Sequence, residues 1–310
     1  MVRFLIIGAG ALGGYYGGML QEGGADVTFL VRPRRAAQLA ERGLLIKTPD
    51  NKFVAPVKTV LASALSGRYD VVFLACKAYD LDRAIVDFAP TLAPDGVVLP
   101  LLNGINHIAV LGDRFGAARV LGGVTLFSVV RSAAGDITVP GHGDKQTLFG
   151  ELTGEHSPRC EAIRDALAAG GVVSTISDNI VTEMWAKFSG FAGATAVSVL
   201  TRAHAGEIAA APAGAALVTA ALDETARVIA AEGFSQPAAI RELYIRVFSQ
   251  IGSDGAPSML FDIEAGRPTE AEHIFGDLVR RADRFGVEVP ILRAALCNLQ
   301  IYEARRASSR

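Results

Sequence analysis

Cysteine is scarce and scattered. Three occur in 310 residues, Cys76, Cys160 and Cys297, and no two share a C-x-x-C spacing, so neither a disulfide framework nor a cysteine zinc site is expected. That usage fits a reducing cytoplasm. The five histidines are isolated from one another, and none stands three or four residues from a second, as a helical metal site would need. No metal is expected. An excess of one charge is lacking too: 30 basic residues face 32 acidic ones for a net of -2, which leaves no overall positive field to hold a nucleic-acid backbone. No nucleic-acid partner is expected. Long apolar runs are also missing, since none reaches the roughly 20 residues of a membrane span. The uncharged run 188–201 reads as a buried helix. Met1, Val2 and Arg3 open an apolar run like that of a secretory signal, but it breaks at Gly8-Ala9-Gly10, and acids follow at Glu22 and Asp26. A soluble, cytoplasmic protein with no membrane partner is the expectation.

Half of the chain is hydrophobic and a fifth charged, ample for a packed core, and the length suits two domains. The first half alternates β-rich and helical runs, which predicts a parallel sheet with crossover helices. Strands are expected at 2–7, 27–31, 71–75, 97–101 and 120–130, and helices at 11–21, 34–42 and 80–89. Segment 135–151, with Gly135-Asp136 and Gly141-His142-Gly143, predicts antiparallel strands at a sheet edge. After Asp178 the texture changes to long Ala-rich helical stretches with no convincing strand. The expected fold is therefore α/β, with a sheet domain at 1–178 and an all-helical domain at 179–310. In the helical half, Thr269 and Glu272 after Pro268 read as a capping box, and Gly286 as a C-terminal cap.

The strongest local motif is Gly8-Ala9-Gly10-Ala11-Leu12-Gly13, directly after an expected strand and opening an expected helix. There Gly8 serves the tight turn, Gly10 lets the backbone approach a pyrophosphate, and Gly13 allows close helix-to-strand contact. A dinucleotide is implied. The second strand ends in Arg32, where an acidic residue would bond the ribose of NAD; a guanidinium suits a 2′-phosphate, so the cofactor reads as NADP(H). Arg34 and Arg35 follow and have no assigned role. The competing account of all three is the start of a solvated helix.

Between Glu183 and Arg202 the only charged residue is Lys187, set among Trp185, Phe188 and Phe191. Such a lysine either snorkels to water or is held at a cleft, where desolvation lowers its pKa towards what a proton donor to a carbonyl oxygen needs. Glu270 is expected in the first turn of the helix capped by Thr269, a position where a carboxylate often only partners the helix dipole. Glu272 is explained by the capping box.

Together these residues resemble the ketopantoate reductase (2-dehydropantoate 2-reductase) family across almost the whole chain. The N-terminal signature looks like Gly8 to Gly13, followed by Arg32, Cys76-Lys77-Ala78 and Asn103-Gly104; the helical half is similar in Trp185-x-Lys187, Gly206-Glu207-Ile208, Ser258-Met259-Leu260 and Glu270. The resemblance implies a Rossmann-type, doubly wound domain joined to an all-helical one, with the active site in the cleft between them. It implies that Lys187 is the general acid and that Asn103, Ser258 and Glu270 contact substrate or support the lysine. Lys77 and Asn103 would serve the nicotinamide end of the cofactor. One departure matters. Where the family carries asparagines four and eight residues after the lysine and another before the Gly-Glu pair, this chain has Phe191, Thr195 and Ala205. Thr195 retains a single hydroxyl for substrate, so the polar lining is reduced. The implied function is NADPH-dependent reduction of a small 2-oxo acid, by family ketopantoate to pantoate for pantothenate. The alternatives are reduction of a more apolar 2-oxo acid or ketone, and an NADP(H) sensor without turnover. A homodimer is left open.

Overall fold

The computed structural model describes residues 2–49, 51–141 and 145–308. The chain divides into two compact units, one of residues up to Leu102 with His107–Val181, the other of Asn103–Asn106 with everything from Thr182 on. The division thus falls inside a long helix that starts at Ile180, a few residues beyond 178, and the short piece around Asn103 clusters with the helical unit.

The first unit runs β1 (Arg3–Ile7), α1 (Ala11–Glu22), β2 (Asp26–Leu30), α2 (Pro33–Arg42), β3 (Leu44–Lys47), β4 (Lys52–Ala55), β5 (Thr59–Val60), β6 (Tyr69–Leu74), α3 (Leu81–Phe88), β7 (Leu92–Pro100), α4 (Asn106–Phe115), β8 (Leu121–Thr125), β9 (Val130–Arg131), β10 (Ile137–Thr138), β11 (Thr147–Glu151), α5 (Pro158–Ala169) and β12 (Ser174–Ile176). Its central sheet has the order β5-β2-β1-β6-β7, parallel throughout. Both faces are covered, and β1 shows it residue by residue: Phe4 and Ile6 belong to one apolar cluster, Leu5 and Ile7 to another on the opposite face. A strand buried on both sides has no polar face to alternate with, hence the unbroken apolar run.

Region 120–130 does not form one strand. It splits into fully buried β8, antiparallel to β11, and exposed β9, antiparallel to β10 in a second sheet. The change from buried to exposed surface marks the break between two sheets. The antiparallel pairing expected for 135–151 is present in β10 with β9 and in β11 with β8, but neither strand is a sheet edge: β10 lies between β3 and β9 and β11 between β12 and β8, each pairing parallel on its other side. The Gly141-His142-Gly143 turn lies partly outside the described residues.

The second unit contains no strand among its described residues. It continues from α6 (Ile180–Thr201) through α7 (Ala205–Ala210), α8 (Gly214–Ala231), α9 (Ala238–Val247), α10 (Ser258–Glu264), a π-helical turn (Glu272–Gly276), α11 (Asp277–Phe285) and α12 (Pro290–Ser308). α6 is buried along most of its length, and Ala194 and Val197 pack with Ala205, Ile208, Val218, Ala221, Leu222 and Phe248. Its register is held by Trp185, which stacks on Phe234 at 5.3 Å and carries the Arg281 guanidinium over its ring at 5.1 Å. The buried Glu224 carboxylate accepts from the N–H groups of Ile291 and Leu292, both at 3.0 Å, and so satisfies donors that the first turn of α12 leaves unpaired. Gly286 ends α11 in the left-handed conformation, φ 64°.

The capping box at Thr269 does not form. Thr269 donates through both its backbone N and its hydroxyl to Glu303 on α12, at 2.6 and 2.9 Å, and Glu272 instead accepts from Gln300 at 2.8 Å. Because Glu303 already occupies the threonine, the helix starts at Ala271, one residue later than a Thr269 cap would place it. Glu270 therefore stands just before the helix and not in its first turn.

Candidate active site

The glycine-rich loop is built from its own backbone needs. Gly8 turns the chain out of β1 at φ +89°, a conformation that disfavours any residue with a Cβ, while its N–H donates to Leu30 O at 3.0 Å. A Cβ at Gly13 would lie 2.0 Å from Gly8 O and 3.2 Å from the Ala75 side chain, so helix and strand meet too closely for one. Gly10 differs from both. Its φ is ordinary at -76°, and a Cβ there would meet no atom of the described residues within 4 Å. Among the described residues no packing calls for glycine at this position, whereas a phosphate approaching the start of α1 would need the space that a Cβ fills. The residues present therefore fit a dinucleotide. Ala9 is buried, and Ala11 and Leu12 open α1.

The three arginines separate. Arg35 holds the loop: its Nε donates to Ala9 O at 2.9 Å and an Nη to Gly135 O at 3.1 Å. Burial pushes its guanidinium down to about 10, Arg131 adds to the shift, and Asp136 opposes it. Arg34 is exposed. Arg32 stands at the N-cap of α2 with its side chain 71% exposed, ion-paired to Asp80. Lys77 precedes the short 3-10 turn after β6.

In the helical unit, Lys187 Nζ donates to Asn103 Oδ1 at 3.3 Å. Desolvation pushes the ammonium down to about 8, because burial penalises the charged form. Asn103 is in turn held from behind: its carbonyl accepts from His273 Nε2 at 3.1 Å. Glu270 is buried at 6% exposure, and its charge acts on His273. Lys187, Asn103, His273 and Glu270 thus form one polar group. His273 escaped the sequence reading, which weighed histidines only as metal ligands; its place three residues after Glu270 was the available signal.

Thr195, two turns along α6 from Lys187, is fully buried, and its hydroxyl finds no hydrogen-bond partner among the described residues. Ser258 begins α10, exposed, and no hydrogen bond joins it to the Lys187–Asn103 pair. Phe191 is half-buried, and Ala205 is fully buried in the apolar core. The Gly206-Glu207-Ile208 motif is accounted for structurally. A Cβ at Gly206 would lie 2.3 Å from Ser253 N, Glu207 accepts from the backbone N of His204 at 2.8 Å, and Ile208 enters the core.

Comparison with known proteins gives this geometry a family. The model described as Ketopantoate reductase PanE/ApbA matches residues 4–154, and its C-terminal counterpart matches residues 179–303. The chain is 34% identical to the uncharacterized oxidoreductase YkpB of Bacillus subtilis (strain 168), over 98% of this chain and 100% of that one. It is 30% identical to the 2-dehydropantoate 2-reductase of Archaeoglobus fulgidus, over 95% of each chain. A D-mandelate dehydrogenase solved with NADH and anilino(oxo)acetate shares the fold, with a TM-score of 0.88 and 23% identity over 99% of this chain and 100% of that one. With a parallel-sheet unit, a helical unit and both halves matched, the chain is an oxidoreductase that belongs to the ketopantoate reductase family.

Proposed function

We propose that the protein is an NADPH-dependent reductase that converts a small 2-oxo acid to the 2-hydroxy acid, with Lys187 as proton donor. The observation that carries this reading is the desolvated Lys187 ammonium, near 8 and held by Asn103 Oδ1. A group poised there is mostly protonated at neutral pH yet gives up its proton readily. The cofactor, when bound, supplies the hydride. Residues Gly8 to Gly13 would hold the pyrophosphate, Arg32 the 2′-phosphate, and Lys77 and Asn103 the nicotinamide end. Asn103 engages one of the three N–H bonds of Lys187, which leaves the others to meet the oxygen of the substrate. Glu270 contacts the substrate or supports the lysine, and Thr195 and Ser258 contribute hydroxyls to substrate.

Family membership makes ketopantoate the reference substrate, with pantoate as product for pantothenate. A second reading, a 2-oxo acid with a more apolar tail, is favoured by Phe191 and by Ala205, which offers the substrate no polar group and is spent on core packing. The D-mandelate dehydrogenase of like fold was solved with anilino(oxo)acetate, a compound with an aromatic ring. The test is a panel of 2-oxo acids assayed by loss of NADPH absorbance. Turnover of at least one is expected; NADPH binding without consumption of any would leave a sensor.

A further inference from the structure

We infer that His273 is a positioning residue for the reduction: its Nε2–H holds the peptide of Asn103 and thereby fixes where Asn103 Oδ1 meets the Lys187 ammonium. The inference rests on the function proposed above for its catalytic consequence, but not for its geometry.

Three observations converge on one peptide. The Asn103 carbonyl lies 3.1 Å from His273 Nε2, and since a carbonyl can only accept, the imidazole carries its proton on that nitrogen. The Asn103 side chain lies 3.3 Å from Lys187 Nζ, so a single residue links α6 to the π-helical turn that carries His273. Gly104 follows at φ +83°, and a Cβ there would sit 3.1 and 3.2 Å from His273 Cδ2 and Nε2. The imidazole therefore both hydrogen-bonds the turn and packs against it. Burial holds His273 below its ordinary value, with Glu270 and Asp277 pulling the other way and Arg280 assisting the burial, so the ring is neutral near pH 7. Short π-helical turns recur at functional sites, and this one starts two residues after Glu270.

If the Nε2–H is removed, the peptide between Asn103 and Gly104 loses its anchor. Gly104 tolerates other backbone conformations, so the peptide rotates and carries the Asn103 side chain away from Lys187. The ammonium then loses an acceptor that favours its charged form, and its pKa falls further.

The test is a carbon-13 NMR titration of Lys187 in protein labelled at lysine Cε, its signal assigned by its loss in Lys187→Met. Wild type, His273→Phe and His273→Gln are compared. Phenylalanine keeps the ring against Gly104 without the donor, and glutamine restores a donor; His273→Leu replaces the phenylalanine variant if that does not fold. The Lys187 titration is expected near 8 in wild type, at lower pH in His273→Phe, and back near the wild-type value in His273→Gln. On a 2-oxo acid that the wild type turns over, kcat/KM should fall about tenfold or more in His273→Phe, as small misplacements of a reacting group do. The alkaline limb of its pH profile should move down with the titration, and His273→Gln should recover both. An unmoved Lys187 titration in His273→Phe overturns the inference whatever the activity, as does equal loss in both variants. If the wild type reduces no 2-oxo acid, the proposed function falls, and the titration still decides the role of His273.

Discussion

Lys187 donates a hydrogen bond to Asn103 Oδ1, at 3.3 Å, from a position 84 residues further along the chain. The contact unites a helix with the short piece that follows the last strand of the parallel sheet, and Asn103–Asn106 accordingly clusters with the helical unit. Its chemistry has a definite pH signature. With the ammonium near 8, the fraction able to donate a proton falls as pH rises through that value, so kcat/KM for reduction should hold below about pH 8 and decline above it. A pH–rate profile checks this, and a flat profile up to pH 10 would remove Lys187 from proton transfer.

The same desolvation makes Lys187 a burden on stability. A lysine whose folded pKa lies below its ordinary 10.5 destabilises the fold at every pH where the ammonium persists in the unfolded chain. Lys187→Met, which keeps length and apolar bulk, should raise the melting temperature at pH 7. A lower melting temperature would show that the ammonium is repaid by contacts the methionine loses.

The proposed preference for NADPH rests on Arg32, which is ion-paired to Asp80. Arg32→Ala should raise the KM for NADPH far more than that for NADH, because only NADPH has a 2′-phosphate to lose. The Asp80 carboxylate competes for the same guanidinium, so Asp80→Ala should lower the KM for NADPH. Wild-type enzyme that uses NADH as well as NADPH would contradict the role given to Arg32.

Substrate choice is tested by ketopantoate against its deoxy analogue, 2-oxo-3,3-dimethylbutanoate. A site with Phe191 and Ala205 in place of amides should favour the analogue or accept both alike, because strong discrimination for a hydroxyl requires buried hydrogen-bond partners. A preference of tenfold or more for ketopantoate, about 1.4 kcal/mol, would restore ketopantoate as substrate. Thr195→Val removes the one hydroxyl left at the three positions where the family carries asparagine: with no partner among the described residues, its loss should leave the melting temperature unchanged or higher.

His204 gives a stability prediction away from the chemistry. Its Nδ1 faces Asp254 O and its Nε2 faces Glu264 Oε1, both at 3.0 Å. Two acceptors require two N–H groups, hence the imidazolium, and these bonds, the one to Asp254 first, raise its pKa above 6.5. The resulting stabilisation is fully present below the unfolded value and is lost as pH rises through the folded one. His204→Ala should therefore lower the melting temperature at pH 6 and change it less at pH 9.

The glycine loop, the parallel sheet and the isolated Lys187 were legible because each leaves a local mark: spacing, an unbroken apolar run, one charge in an apolar helix. The start of the helix after Glu270 was not, because Thr269 is claimed by Glu303, 34 residues away, and no local pattern reports a distant competitor. His273 was hidden for the same reason, since its partner lies 170 residues back. The split of 120–130 followed from a change of burial that apolar composition alone does not encode. Arg32 and Arg35 look alike in sequence; only the fold assigns one to the loop and leaves the other at the surface.

The role proposed for Lys187 lies in the transition state and not in cofactor binding. The direct measurement is kcat on the best 2-oxo acid together with the Kd for NADPH, in wild type and Lys187→Ala. A loss of about 10²-fold or more in kcat with an almost unchanged Kd is expected. A near-normal kcat, or a kcat loss matched by loss of NADPH binding, would contradict it.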